Sequence, residues 1–406
     1  MLFVFFMVAL VAAVHYYLWH RLVRSTTGPG RLRRGLSFVV AGLFVLVVAT
    51  FVASRMEAFH WLAWPGYLWI AVMFYLVVFL VVLEVPRAVA ALVMRRRGRR
   101  PAPVVELVPA GAGPPGPAGP PEEPRPAADG MSRRLFLGRA TAAVAGVGAL
   151  GTVGYGASVA LGDPVIEPVR VTLPGLDQRL RGLRFAVVSD IHLGPLTGIG
   201  HTERIVRMIN GLEPDVVAIV GDLVDGSVSA LGRLAKPFKN LESRYGAYFV
   251  TGNHEYFTEQ GPGEWIEELA DLGVRSLRNE RVEIRHQGAV LDLAGVNDVN
   301  GVTMNDGPDF ARALGGRDPN RAAVLLAHQP VQAEKAAEHG VDLQLSGHTH
   351  GGQMVPFNLI VPLQQPVVSG LGTVKGMPVY VTRGAGYWGP PVRVGAPPEI
   401  TMLELR

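Results

Sequence analysis

Apolar positions along this chain follow two patterns, which change over near residue 165. Before it, Leu2–Trp19, Leu36–Ser54 and Trp61–Leu83 are long apolar runs without a polar face. Each approaches or exceeds the roughly 20 residues (range about 17–25) that cross a bilayer core, so three transmembrane helices are predicted. Trp64, Tyr67 and Trp69 lie near the start of the third as interfacial anchors, and the short run Ala88–Met94 reads as interfacial. A fourth uncharged run, rich in small residues, covers Ala140–Leu161. After it the apolar runs shorten. Arg184–Ser189, Asp215–Val220, Ala247–Thr251, Ala322–Ala327 and Val341–Leu345 read as buried strands. Between them, His201–Leu212, Pro262–Leu272 and Val331–His339 carry helical spacing. Strands alternating with helices predict one α/β domain over residues 163–406.

Charge orients the first part. Residues 1–164 hold 16 arginines and no lysine against 7 acidic residues, a balance of +9. The remainder has 22 basic and 27 acidic residues, a balance of −5. The arginines cluster in the loop after the first run (Arg21, Arg24, Arg31, Arg33, Arg34) and after the third (Arg87, Arg95, Arg96, Arg97, Arg99, Arg100). Arginine-rich loops stay cytoplasmic, so the N-terminus is expected outside and residue 100 inside. This placement speaks for membrane orientation and against nucleic-acid binding. With no cysteine in the chain, disulfides, thiolate metal sites and cysteine nucleophiles are excluded.

Residues 1–100 thus read as a three-helix membrane module, and 101–131 as a linker. Pro101–Gly130 holds ten prolines with Gly, Ala and Glu, a composition that cannot build a core. Residues 132–162 follow. Ser132-Arg133-Arg134-Leu135-Phe136-Leu137 ahead of the Ala/Gly-rich run resembles a twin-arginine export signal, which implies the export machinery as a partner. An ordinary fourth transmembrane helix is the other reading. Ser158-Val159-Ala160 offers a small-x-small cleavage site, with retention as an anchor preferred. Either way the domain after Leu161 is expected outside the cytoplasm, tethered to the cell membrane.

Chemistry sits at the strand ends. The five short runs lead into Asp190-Ile191-His192, Gly221-Asp222-Leu223-Val224-Asp225, Gly252-Asn253-His254-Glu255, His328, and Gly347-His348-Thr349-His350. Open α/β sheets place their sites at carboxyl ends of strands, and imidazoles with carboxylates ligate divalent metals. Taken together, these blocks resemble the calcineurin-like metallophosphoesterases, in the family's order. The Gly-Gly-Gln after His350, Arg383-Gly384-Ala385-Gly386 and Pro397-Pro398-Glu399-Ile400 resemble its bacterial membrane-associated branch.

The resemblance implies a four-layer αββα sandwich and a centre of two divalent ions. Asp190, His192, Asp222 and His350 would hold one metal; Asp222, Asn253, His328 and His348 the other, with Asp222 bridging. Sulfur-free Asp/Asn/His coordination favours manganese or iron and admits zinc. The implied reaction is attack on a phosphodiester or pyrophosphate by a metal-bridging hydroxide. His254 would protonate the leaving oxygen, with Asp225 as its carboxylate partner or as a turn cap. Glu255 reads as structural. Arg383 and Arg393 would contact substrate phosphate or form salt bridges. His201, His286 and His339 read as surface residues, and His15, His20 and His60 as interfacial. A tether favours a lipid-linked headgroup as substrate over a soluble extracellular nucleotide. A metal-binding sensor without turnover is the reading from another class, and transport is opposed by spans whose one interior ionisable residue is His15.

Overall fold

The computed structural model describes residues 2–53, 60–97, 133–258 and 260–406. The proline-rich stretch 101–131, and the linker reading with it, lies outside the described residues. So do Arg99, Arg100 and Ser132. The chain divides into two compact units, residues 1–45 with 72–151, and residues 46–71 with 152–406.

Four helices among the described residues are long and apolar enough to cross a membrane. They are α1 (Leu2–Leu18), α2 (Arg31–Ala53), α3 (Ala63–Arg97) and α4 (Arg133–Ala160). Two boundaries differ from the sequence reading. The first helix continues past Trp19 as a π-helix, Trp19–Arg24, and α3 runs on through Ala88–Met94, beyond the apolar span that ends at Pro86. The first extension carries Arg21, which forms an ion pair with Glu84. That pairing offsets charge that would otherwise end an apolar helix. His15 is buried among the helices, with Nδ1 2.8 Å from the Val11 carbonyl and its ring edge-on to Phe44.

Beyond α4 the chain forms β1 (Val165–Val171), β2 (Arg184–Val188), α5 (Ile199–Gly211), β3 (Val216–Val220), α6 (Val228–Ala235) and β4 (Ala247–Val250). Then come α7 (Gly263–Asp271), β5 (Val274–Ser276), β6 (Glu280–His286), β7 (Ala289–Gly295), α8 (Phe310–Leu314) and β8 (Ala323–Leu326). The last elements are α9 (Ala333–Glu338), β9 (Leu343–Ser346), β10 (Gly370–Val374), β11 (Met377–Val381) and β12 (Glu399–Leu405). The predicted runs match these strands to within one or two residues at either end.

Alternate residues of each buried strand enter different cores, as the pleat dictates. In β3, Val216, Ala218 and Val220 face one core while Val217 and Ile219 face another. The first of these cores also receives Leu293, Val324, Leu326, Leu345 and Tyr380 from the second sheet, so it lies between sheets. The second joins the first sheet to Ile205, Leu234, Trp265 and Leu269 on α5, α6 and α7. A third joins Ala294, Leu325, Val379 and Val381 to Phe310 and Ala333 on α8 and α9. Three cores between four layers make an αββα sandwich, as expected. Burial on both faces is why these strands read as unbroken apolar runs.

The sheets run β1-β12-β2-β3-β4-β5 and β10-β11-β9-β8-β7-β6. Strands β2 through β5 are parallel, as are β7, β8, β9 and β11. Two hairpins, β6–β7 and β10–β11, turn on Gln287-Gly288 and Lys375-Gly376, each pair with φ near +50° and +82°. Positive φ at both central residues matches the strands' twist, and glycine supplies the second at no steric cost.

Candidate metal centre

The parallel strands deliver their carboxyl ends to one place. Asp190 and His192 follow β2, Asp222 and Asp225 follow β3, Asn253 and His254 follow β4, His328 follows β8, and His348 and His350 follow β9. Loops drawn from both sheets therefore meet in one buried cluster.

Two constellations form there. His350 Nε2 lies 3.3 Å from Asp190 Oδ1 and 3.1 Å from His192 Nε2. His328 Nε2 lies 3.2 Å from Asp222 Oδ2, and His348 completes that second group. His192 Nε2, 3.9 Å from Asp222 Oδ2, links the two. Imidazole nitrogens and carboxylate oxygens thus converge in two groups that could each hold a metal ion. Three buried atoms make the point: Asn253 Oδ1, His328 Nε2 and His348 Nδ1 have no hydrogen-bond partner. Buried polar atoms are normally satisfied, and a carbonyl oxygen beside two imidazole nitrogens is a donor set for a divalent cation. These residues fit a metal.

The backbone is strained to bring them together. Asp190, His192, Asp222, His348 and His350 all have φ between 50° and 72°, in the left-handed region. For residues with a Cβ this costs of the order of 1–3 kcal/mol each and clusters at functional sites. Gly252 permits the close approach of two loops, since a Cβ there would overlap the Asp222 carboxylate and backbone. We expect Gly252→Ala to lower stability by about 1–3 kcal/mol through overpacking, read as a fall in thermal midpoint of the detergent-solubilised chain. An unchanged midpoint would refute the close-packing account.

Fixed partners set the imidazoles. His328 Nδ1 donates to the Val220 carbonyl at 2.8 Å, which leaves Nε2 to face the cluster. The Asp225 Oδ1 atom receives two of them, His192 Nδ1 at 2.8 Å and His254 Nδ1 at 2.7 Å. Asp190 accepts from Ser189 Oγ and from the His348 backbone N–H at 3.0 Å. Glu255 is fully buried and accepts from four backbone N–H groups: Asp222 (3.1 Å), Leu223 (2.8 Å), Val224 (3.3 Å) and Gly252 (2.6 Å). It ties the β3 loop to the β4 loop, consistent with a structural role.

Electrostatics divides the group. Burial pushes the Asp190 carboxyl up. Burial opposes ionisation of Asp222 as well, but His328 and His254 outweigh it and hold its pKa well below the usual range. The reciprocal effect raises His328: burial alone would lower it, and Asp222 prevails. Burial and His328 push His348 down to about 3, while burial and the Arg393 guanidinium hold His350 well below normal. His348 and His350 are therefore neutral, the metal-binding form of imidazole.

Several residues stand apart from the sequence reading. Arg393 is fully buried and does not reach toward a substrate. Its NH1 donates to the His350 carbonyl at 2.8 Å, Nε donates to that of Gly386 at 3.1 Å, and NH2 lies 3.0 Å from His350 Nδ1. Arg383 is engaged by Glu399 at 2.5 Å and Glu167 at 3.0 Å, so a phosphate would compete with two carboxylates already in place. His201 and His286, expected on the surface, are buried, and only His339 is exposed. His201 falls on the i, i+4 stripe His201, Ile205, Ile209 that α5 turns inward, and burial lowers its pKa to about 4. His286 lies 2.9 Å from the Tyr245 hydroxyl. Sequence reasoning missed Asp298, buried beside the cluster with Oδ2 unpartnered. The run Ala289–Val296 does lead into Asn297-Asp298, but Asp292 interrupts it and hides the strand-end pattern. It also missed the Phe257 and Trp388 rings, 4.8 Å and 6.1 Å from the His254 ring.

Comparison with known proteins agrees with this geometry. Residues 183–352, which hold Asp190, His192, Asp222, Asp225, Asn253, His254, His328, His348 and His350, match the Calcineurin-like phosphoesterase family. A Bos taurus protein called "Transmembrane protein with metallophosphoesterase domain" is 42% identical over 255 residues, covering 60% of this chain and 57% of that protein. An uncharacterized metallophosphoesterase of Helicobacter pylori is 40% identical, covering 60% of this chain and 65% of that one. Both matches span less than two thirds of the relative's length. An uncharacterized metallophosphoesterase of Aquifex aeolicus is 32% identical over 222 residues, which cover 54% of this chain and 83% of the relative. The chain belongs to the calcineurin-like metallophosphoesterase family.

Proposed function

We propose that this protein is a membrane-held, metal-dependent hydrolase of phosphodiester or pyrophosphate bonds. The carrying observation is the set of three buried, unpartnered donor atoms on Asn253, His328 and His348, next to the Asp190, His192 and His350 group. Asp190, His192, Asp222 and His350 would hold one divalent ion, and Asp222, Asn253, His328 and His348 a second, with manganese or iron favoured over zinc. Such ions, when bound, supply Lewis acidity to the phosphoryl oxygens and activate the attacking water.

The chain's own groups do the rest. Asp225 accepts from Nδ1 of both His192 and His254, so it orients a ligand and an acid with one oxygen. It stays ionised because the two imidazoles outweigh burial. His254 is pushed up to about 9: burial opposes, but the carboxylates of Asp222 and Asp225 prevail, while bound cations would draw it back toward neutrality. Its Nε2 proton would then be available to a leaving oxygen, beside the Phe257 and Trp388 rings. His254→Asn should lower turnover by roughly 10²–10⁴-fold while both metals remain bound. Unchanged turnover would remove His254 from the chemistry.

The location reading rests on charge and hydropathy. Arginine-rich loops after the first and third spans favour a domain outside the cytoplasm, with α4 as both anchor and twin-arginine-type signal for the export machinery. A tether confines the site to the membrane plane, which suits a lipid-linked phosphate. The deciding experiment uses the full chain in detergent, stripped of metal and resupplied with manganese, iron or zinc. Monoester, diester and pyrophosphate-linked lipid substrates are compared. Metal-restored turnover of diester or pyrophosphate is expected. Two bound metals with silence on all three would favour a sensor.

A further inference from the structure

Residues 351–374 contain no charged side chain, within a domain otherwise dense in charge. Part of this stretch forms two short turns, Phe357–Leu359 and Val361–Leu363. They and the Ile360 between them hold apolar side chains outward: Phe357 is 48% exposed, Ile360 53%, Leu359 73% and Leu363 86%. An apolar patch of this kind marks a surface that meets something other than water.

The chain itself points to what covers it. Strand β1 begins at Val165, five residues after α4 ends at Ala160, so the domain cannot stand away from that helix. Two backbone hydrogen bonds lead from α4 toward the patch: Arg393 N–H donates to the Gly156 carbonyl at 2.9 Å, and Val355 N–H to that of Val394 at 3.1 Å. On the other side, the exposed Trp388 exchanges hydrogen bonds with Gln353, and its ring borders His254. The patch therefore joins the last turns of a membrane-spanning helix to the rim of the metal centre.

We propose that Phe357–Leu363, with Trp388, settles into the headgroup–acyl boundary of the bilayer that α4 crosses. The depth would be about 5–10 Å, that of apolar faces of interfacial segments. Tryptophan is enriched at that boundary, and uncharged turns enter it without desolvating charge. The occupant is lipid, and the metal centre opens along the membrane surface. This rests on the membrane-tethered reading and is independent of turnover.

The absence of cysteine makes a direct test available. Single variants Leu359→Cys and Leu363→Cys of the full chain are labelled with bimane and reconstituted in phosphatidylcholine–phosphatidylglycerol vesicles containing brominated lipid. Phe38→Cys on the exposed side of α2 and Arg312→Cys on exposed α8 serve as membrane and solvent references. Quenching by lipid bromine several-fold stronger at 359 and 363 than at 312 is expected. Quenching no stronger than at 312 would overturn the proposal. In that case, access to aqueous iodide would indicate an open surface, and shielding from both quenchers a protein partner or second copy. Absence of quenching at position 38 would overturn the membrane reading itself, and this inference with it. Loss of hydrolytic activity affects none of these readouts.

Discussion

Asp222→Asn is expected to reduce phosphodiester turnover by about 10³-fold or more, and to reduce bound metal from two ions to one. Two divalent cations that share a substrate oxygen repel each other strongly, and an anionic ligand common to both offsets that repulsion. On the proposed two-metal reading, Asp222 would be that ligand. Its Oδ2 lies 3.2 Å from His328 Nε2 in one constellation and 3.9 Å from His192 Nε2 in the other. Asparagine keeps the shape and can still accept the His254 backbone N–H now bound to Oδ1 at 2.9 Å, so the loop should hold. The substitution removes the charge and puts an amide N–H₂, which cannot ligate a cation, in place of Oδ2. Metal content by mass spectrometry, measured beside initial rates, separates the outcomes. Two retained ions with a wild-type rate would show that Asp222 does not bridge.

Glu255→Ala should have the largest effect on stability, a loss of about 3–5 kcal/mol. Removing this carboxylate leaves four buried backbone N–H groups without an acceptor, at roughly 1–3 kcal/mol each, partly relieved by entering water. Three of the four belong to Asp222, Leu223 and Val224, so metal affinity should fall along with stability. Glu255→Gln keeps one acceptor oxygen but turns an amide N–H₂ toward backbone donors, and should land between wild type and alanine. Denaturant unfolding of the metal-free chain in detergent gives the comparison. A change below about 0.5 kcal/mol, the size of an ordinary surface substitution, would mean the four hydrogen bonds are not what holds these loops.

The strand-end blocks were legible because their causes are local. A strand buried on both faces must be apolar throughout, so its end is marked where Asp, Asn or His first breaks the run. Asp190, Asp222, Asn253, His328 and His348 all announce themselves in this way. The pairing of β1 with β12 was not legible: Val165–Val171 lies parallel to Glu399–Leu405, and nothing near either segment encodes so distant a partner. Neither was Arg393. A lone arginine among Pro, Val and Gly reads as exposed, and only the assembled fold offers the backbone carbonyls that compensate its burial. His201 failed for a related reason. Its helix was recognised, but a polar residue on the inward stripe of a helix looks the same in sequence as one at its edge. In the N-terminal part, the first helix extends through Arg21, which pairs with Glu84, a residue far away in the chain.

The left-handed backbone at five of the seven cluster residues gives a way to tell working copies of this fold from retired ones. Glycine or asparagine at those positions would relieve conformational strain, so a lineage released from its chemistry gains stability by accepting them. Chains that keep Asp or His at all five are under pressure that folding alone does not supply. In this chain, Asp190, His192, Asp222, His348 and His350 all retain the costlier residue.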